Sequence, residues 1–256
     1  MNLKSNNPFL KNKSFTQTSA TTAYDEDGRP VEIIDFNNTM TVNGAITKSF
    51  ILLLLLVGSA LYTWWSIDNG QNGLVLGIIG LFAGAISVLV TVFKPNLSPY
   101  LAPAYAIFEG LFIGFISWYF EQKYSGLVIQ AVFATFVTFF VCLALYRFKI
   151  VKVTEQFKSI VIASTMAIGT YYLISIICSF FGVTLFHHGN SLMSIGFSVF
   201  VIVVAALNLF LDFDLIEESA QKRMPKFMEW FGAMGLIITL VWLYIEFLRL
   251  LSKLRD

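Results

Sequence analysis

The chain of 256 residues is 57% apolar and 13% charged, with a formal net charge of +1, whereas soluble domains average about 45–50% apolar and about 25% charged residues. Only five charged residues lie between Phe50 and Tyr146. A water-soluble surface cannot be built from so few charges. The composition therefore excludes a soluble enzyme, a nucleic-acid-binding protein and a disordered protein, and it indicates a multi-pass membrane protein in contact with a lipid bilayer.

Residues 1–45 differ in composition from the rest of the chain. They are rich in Asn, Ser, Thr and Lys, and an acidic stretch lies at residues 25–27. Because no helical period is visible in this polar segment, we predict a mostly disordered cytoplasmic N-terminal tail. Residues 46–256 then form a single transmembrane domain.

Seven mainly apolar runs follow the tail, and each has about the 20 residues that a helix needs to cross a bilayer. They cover residues 49–67, 74–93, 100–120, 126–146, 159–181, 193–213 and 230–251, each bound being approximate. The runs lack the alternating polarity of barrel strands, which are about 10 residues long. The sequence therefore predicts an all-α, polytopic fold, a bundle of seven transmembrane helices.

The orientation follows from the Lys and Arg residues near the ends of the runs. Lys48 precedes the first run, and Lys94 lies in the second loop. The fourth loop holds Arg147, Lys149, Lys152 and Lys158, and the sixth loop holds Lys222, Arg223 and Lys226. The alternate loops hold only Lys123. This distribution predicts a cytoplasmic N-terminus in the inner (plasma) membrane. Seven spans place Lys253 and Arg255 outside, so the last helix is expected to end within the protein or to span incompletely.

Small residues recur at helical spacing in the second and third runs. Gly73, Gly77, Gly80 and Gly84 lie in or beside the second run, and Gly110 and Gly114 lie in the third. Glycines four residues apart let neighbouring helix backbones approach closely. We therefore expect tight helix packing here, in preference to a gating hinge.

Four carboxylates fall in or beside apolar runs, namely Glu109, Asp212, Asp214 and Glu246. An acid at the bilayer centre costs about 2.5–3.5 kcal/mol on insertion scales, so each is a functional hypothesis. Glu246 is the strongest of them, and a functional role is favoured over a structural pair with Arg249 one turn later. Glu109 is left open between a structural hydrogen bond and a functional role.

Asp212 follows Asn208 by one helical turn, so the two residues form a polar stripe on one helix face. Asp214 points away from that stripe and is interpreted as a solvated acid at the helix end. Cys142 and Cys178 are interpreted as apolar packing residues, and His187 and His188 as ordinary loop residues. No catalytic, metal-binding or phosphate-binding motif occurs, so we expect no enzyme activity, no metal site and no cofactor.

Several segments resemble the bacterial branch of the Bax inhibitor-1-like, or YccA, family. They are MTVNGAITKSF before the first run, FEGLFIGFIS in the third, LNLFLDFDLIEE at residues 207–218 and MEWFGAMGLIITLVWLYIEFLRLLSKL at residues 228–254. The resemblance covers about residues 40–254. It implies a seven-helix bundle with the last helix at the centre.

The resemblance also implies a pair of acids that join the sixth and seventh helices. By motif position these are Asp212 and Glu246, and the family's basic partner falls near Lys94. Two departures are visible, because the seventh-helix acid is Glu in place of Asp and the base is Lys in place of Arg. A hairpin of the sixth and seventh helices brings the two acids level only if it turns at residue 229. The polar turn residues centre near 225, which would leave the two acids about 12 Å apart along the helix axes.

Members of the family are described as pH-sensitive calcium leak channels, as suppressors of cell death, and in bacteria as modulators of a membrane-bound AAA protease. If the acids meet, they would share a proton, because two carboxylates in a low-dielectric site cannot both ionise cheaply. Deprotonation would then favour separation of the two helices, or exchange of one acid onto Lys94, and would allow a transient leak of calcium ions in preference to tight binding. A non-conducting regulator that binds the protease and a proton-coupled transporter remain the alternatives.

Overall fold

The computed structural model describes residues 20–24, 30–34, 38–182, 189 and 191–255. Two short strands, β1 (Ala20–Tyr24) and β2 (Pro30–Ile34), pair in an antiparallel hairpin within the segment predicted as a tail. The first helix begins at Val42, before the predicted domain boundary at residue 46. The remaining residues of the predicted tail, and His187 and His188, lie outside the described residues.

Seven α-helices, a short 3₁₀ helix (Pro95–Leu97) and their connecting loops make up the rest of the described chain. The α-helices are α1 (Val42–Asp68), α2 (Gly73–Phe93), α3 (Ser98–Lys123), α4 (Leu127–Arg147), α5 (Glu155–Phe180), α6 (Leu192–Gln221) and α7 (Met228–Arg255). All seven are long and apolar enough to cross a membrane. The predicted all-α, seven-helix membrane bundle is confirmed for the part of the chain that the structure describes.

Polar side chains that lie between 2 and 8 residues before the predicted apolar runs start several of these helices. Thr41, Thr154 and Ser191 are the N-caps of α1, α5 and α6, and each side-chain oxygen accepts a hydrogen bond from a backbone N–H of the first turn. Such caps satisfy N–H groups that have no partner within the helix. They fix where three of the apolar runs become helical.

Helix α7 lies at the centre of the bundle, as the resemblance implied. It packs against α1, α3, α4 and α6. Of its most apolar stretch of 18 residues, 67% is buried inside the protein. Leu243 and Leu248 are fully buried within the main core. Polar side chains on α7 therefore face other helices more often than lipid.

The basic residues near the end of α7 are bound by the protein itself. The Lys253 ammonium donates to the Ser198 hydroxyl at 2.8 Å and to the Ser194 carbonyl at 3.3 Å. Arg255 donates to the Ser125 carbonyl at 2.7 Å. The 28 residues of α7 extend about 42 Å at 1.5 Å per residue, more than the roughly 30 Å of bilayer hydrocarbon. The helix is thus long enough to span the bilayer.

The close approach of α3 to its neighbours depends on glycine. A Cβ atom added at Gly80 would overlap the Phe108 carbonyl, and one added at Gly114 would overlap the Ala60 carbonyl. Both obstructing atoms belong to the backbone of the opposite helix, so a side-chain rotation cannot relieve the overlap. The predicted close packing of the glycine-rich runs is confirmed.

We expect Gly114→Ala to lower the free energy of unfolding by about 1–3 kcal/mol, because α1 and α3 would have to move apart. Gly58→Ala is the matched control, since a Cβ atom at Gly58 meets nothing within 4 Å. That control should be neutral, or stabilising by up to about 1 kcal/mol from helix propensity. Thermal unfolding of both variants in detergent measures the difference. Equal unfolding temperatures would show that the α1–α3 contact does not depend on Gly114.

Candidate functional site

Asp212 lies on α6 and faces α7. A Cβ atom built at Gly235 would lie 3.6 Å from Asp212 Oδ1, and the Thr239 hydroxyl interacts with the Asp212 carboxylate. Among the described residues, Asp212 Oδ2 is buried and has no hydrogen-bond partner. A buried polar atom without a partner is costly. Asp212 therefore holds unused hydrogen-bonding capacity between two packed helices.

Asn208, the other member of the predicted polar stripe, bonds to a different helix. Its Nδ2 atom donates to the Thr165 hydroxyl of α5 and to the Val204 carbonyl, both at 2.8 Å. The stripe thus joins α6 to α5 through Asn208 and to α7 through Asp212. Oxygen atoms from three helices converge along this part of α6.

Glu246 occupies a separate polar cluster nearer the C-terminal end of α7. Its Oε1 atom accepts hydrogen bonds from the Tyr172 hydroxyl at 3.0 Å and from Arg249 NH1 at 2.9 Å. Arg249 also donates to the Tyr172 hydroxyl at 2.6 Å and lies over the Tyr172 ring. Glu246 is 1% exposed, and its Oε2 atom has no partner among the described residues. The geometry gives Glu246 the structural pair with Arg249 that the sequence analysis ranked second.

Asp212 and Glu246 do not meet. Asp212 lies level with Gly235 and Thr239 of α7, and Glu246 lies about 10 Å further along the helix axis than Thr239 at 1.5 Å per residue. The prediction that these two carboxyls share a proton is therefore wrong. The α7 position opposite Asp212 carries Thr239 in place of the acid that the resemblance implied.

The physical reason is the position of the turn between α6 and α7. Helix α6 ends at Gln221 and α7 begins at Met228, so the hairpin turns near residue 225. The polar residues of the loop indicated this position, whereas the matching of acids by motif required a turn at residue 229. The turn residues predicted the register correctly, and the motif match did not.

Lys94 and Glu109 do not complete a site with Asp212. Lys94 is exposed at the C-cap of α2, and within the described residues no ion pair joins it to Asp212. Glu109 lies on α3 against α2, where a Cβ atom at Gly84 would be 3.0 Å from its Oε2 atom. The structure therefore does not support Lys94 as the basic partner, and it separates Glu109 from the α6–α7 contact.

A buried ion pair that the sequence analysis missed joins the first helix to the last. Glu229, at the start of α7, is 1% exposed and pairs with Lys48 of α1. The same carboxylate accepts hydrogen bonds from the backbone N–H and the hydroxyl of Thr41, at 3.0 Å each. The Lys48 ammonium also lies 5.5 Å from the centre of the Trp230 ring. We refer to Thr41, Lys48 and Glu229 as the α1–α7 clasp.

A second ionic cluster lies where α5 begins and α6 ends. Lys158 pairs with Asp214 at 2.8 Å and with Glu155 and Glu218 at 3.4 Å each. Asp214 was interpreted as a solvated acid, but its side chain is only 23% exposed because it faces Lys158. This cluster fixes the end of α6 to α5, so Asp214 has an ion-pair partner, whereas the described residues form none with Asp212.

The sequence model of the family described as Bax inhibitor 1 like matches residues 7–256. The chain belongs to the Bax inhibitor 1 like family. The match extends beyond the segments that carry the resemblance, since it includes most of the residues before α1. A search among curated proteins returns no match. This Bax inhibitor 1 like protein is thus a multi-pass membrane protein with seven apolar helices in its described part, where Asp212 is one of three residues that have a buried side-chain polar atom without a hydrogen-bond partner.

Proposed function

We propose that this Bax inhibitor 1 like protein is a proton-sensitive leak pathway for cations such as calcium, and that Asp212 is its titrating group. The observation that carries the proposal is the Asp212 Oδ2 atom, which is buried between α6 and α7 without a hydrogen-bond partner. A carboxylate at membrane depth is expensive and is most often tied to ion or proton movement. The proposal includes a location in the inner (plasma) membrane with a cytoplasmic N-terminus.

Protonation of Asp212 would favour the packed arrangement of α6 and α7. A neutral carboxyl can be buried beside Gly235 if its hydrogen bonds are satisfied. A charged carboxylate costs more free energy to bury there, because it also needs water or a cation beside it. Deprotonation would therefore favour separation of the two helices. Such a contact has two states, and proton concentration shifts the balance between them.

The groups around Asp212 suit a cation in transit. The Asp212 carboxylate, the Asn208 side-chain oxygen and the Thr239 hydroxyl are oxygen ligands, which Ca²⁺ prefers, although it usually takes six to eight of them. Three groups are too few for tight binding, so we propose brief occupation during passage.

Flux measurements with the full chain in liposomes test this role for Asp212. Wild-type protein should release Ca²⁺ at a rate that depends on pH. Asp212→Asn should remove that dependence, because the asparagine amide does not ionise as a carboxyl does. Asp214→Asn is the matched control, since Asp214 is two residues away and pairs with Lys158. It should retain the pH dependence. If Asp212→Asn retains the dependence while Asp214→Asn loses it, the sensor is the α5–α6 cluster.

A non-conducting regulator of a membrane-bound AAA protease is the second candidate. Arg147, Lys149 and Lys152 are exposed at the end of α4 and in the loop that follows, where they could bind an acidic surface of a partner protein. The same liposomes separate the two candidates. Absence of wild-type flux at every pH and ion gradient would favour the regulator.

A further inference from the structure

A long groove runs along the surface of the bundle between α1 and α4. Both helices pack against α7, but they are not packed against each other. Two cavities fill the gap between them, and Leu53, Phe136, Ile237 and Leu240 line both. The cavities therefore form one continuous groove with α7 as its floor, and we call this the α1–α4 groove.

The walls of the α1–α4 groove suit a hydrocarbon chain. The hydroxyls of Ser117 and Tyr244 in its lining bond to each other at 2.7 Å, and Thr135 donates to the Ala131 carbonyl at 2.8 Å. These polar groups are thus satisfied within the protein, and an apolar surface faces the groove. Phe50 and Phe140, which flank it, are more than half exposed, so the groove opens sideways toward lipid.

Two unpaired charges of opposite sign stand at one mouth of the groove. Arg147 and Glu217 line the cavity at the end of the bundle where α1 begins. Within the described part of the chain neither side chain forms an ion pair. Glu217 accepts a hydrogen bond from the Tyr146 hydroxyl at 2.6 Å and a weaker one from Gln221 at 3.3 Å. The mouth therefore offers one cation and one anion to a ligand.

The depth of this part of the groove matches one leaflet of a bilayer. Along α1 its lining extends from Val42 to Leu53, which is about 16 Å at 1.5 Å per residue. Half of the hydrocarbon thickness of a bilayer is about 15 Å. An acyl chain can thus lie in the groove while its headgroup reaches the charged mouth.

We propose that the α1–α4 groove is a binding site for a phospholipid with a primary amine in its headgroup, of the phosphatidylethanolamine type. The lipid phosphate binds the Arg147 guanidinium, whose planar donors match phosphate oxygens. The lipid ammonium donates hydrogen bonds to the Glu217 carboxylate. An acyl chain occupies the apolar groove from the mouth toward Leu53. This site does not depend on ion conduction.

Native mass spectrometry of the full chain, released from nanodiscs with equal amounts of three phospholipids, tests the site. The lipids are phosphatidylethanolamine, phosphatidylcholine and phosphatidylglycerol, with identical acyl chains. We expect phosphatidylethanolamine to be retained at least about threefold over each of the others, because only its headgroup combines a phosphate for Arg147 with a cationic N–H donor for Glu217. Equal retention of all three would overturn the proposal, as would preferential retention of phosphatidylglycerol.

Variants of the mouth separate the two headgroup contacts. Arg147→Gln should reduce retention of all three lipids, whereas Glu217→Gln should bring phosphatidylethanolamine down to the level of phosphatidylcholine. Lys149→Gln is the matched control, because Lys149 is exposed near Arg147 but is not part of the groove lining. It should leave the lipid pattern unchanged, and a loss equal to that of Arg147→Gln would show non-specific attraction to a basic loop.

A second variant tests the acyl-chain contact without changing a charge. Ile46 lines the inner part of the groove and is 47% exposed, so Ile46→Trp fills the groove without altering the core. Retention of phosphatidylethanolamine should fall while the unfolding temperature stays near that of the wild type. Unchanged retention in this variant would place the lipid outside the groove.

Discussion

Glu229→Ala should lower the free energy of unfolding by about 3–5 kcal/mol, the usual cost of removing one partner of a buried ion pair. The alanine leaves the Lys48 ammonium without its counter-ion and the Thr41 N–H and hydroxyl without their acceptor. It also opens a space beside Gly44, which packs against the carboxylate. Thermal and denaturant unfolding in detergent measure the loss.

Two further variants show whether the clasp is the cause. Glu155→Ala is the surface control, because the Glu155 side chain is 91% exposed and forms only a long ion pair with Lys158. It should change stability by less than about 1 kcal/mol. The double variant Lys48→Met and Glu229→Leu should recover much of the loss, since it removes both charges together. A double variant no more stable than Glu229→Ala would mean that the pair is not the source of the destabilisation.

Arg249→Met should destabilise the protein by about 3 kcal/mol, because it leaves the buried Glu246 carboxylate without its cation. Glu246→Gln should cost less, about 1 kcal/mol, since the amide keeps a hydrogen bond to Tyr172 and buries no charge. This order of effects distinguishes a structural pair from a sensor. Unfolding in detergent gives the stability of each variant.

Ion flux through the Glu246→Gln variant provides the second measurement. If Glu246 serves structure alone, Glu246→Gln in liposomes should show the pH dependence of the wild type, in contrast to Asp212→Asn. Tyr172→Phe is a mild control, because it removes one hydrogen bond to Glu246 and keeps the Arg249 ion pair. Loss of the pH dependence in Glu246→Gln, with stability near that of the wild type, would return Glu246 to the conducting site.

The helices were predictable because each depends on its own composition. An apolar run of about 20 residues is helical in a bilayer whatever surrounds it, since the backbone must satisfy its own hydrogen bonds. The contacts of Gly80 and Gly114 were predictable for a related reason, because spacing along one helix determines which residues share a face. Asp212 was separable from Asp214 because it shares one helix face with Asn208, and its Oδ2 atom is buried.

The partners of the buried charges were not predictable in the same way. Glu229 directly precedes the last apolar run, and only the folded bundle shows that Lys48, 181 residues earlier, lies beside it. The separation of Asp212 from Glu246 depends on where the α6–α7 hairpin turns, and a shift of one turn moves a partner by about 5.4 Å. Tertiary contacts decide the Lys48–Glu229 pair, which no local pattern records, whereas the polar loop residues near 225 did indicate where the hairpin turns.

The α1–α7 clasp has a consequence for biosynthesis. Lys48 emerges from the ribosome 181 residues before Glu229, which is roughly 10–40 s at the usual 5–20 residues per second. Backbone bonds from Met40 to Met224 and from Lys226 to Asn38 span the same interval. During that time the start of α1 lacks the groups that hold it in the finished protein. The start of α1 is therefore held only by the bilayer and by its nearer neighbours until the last span is made, and a chain truncated before α7 should open more easily at that end.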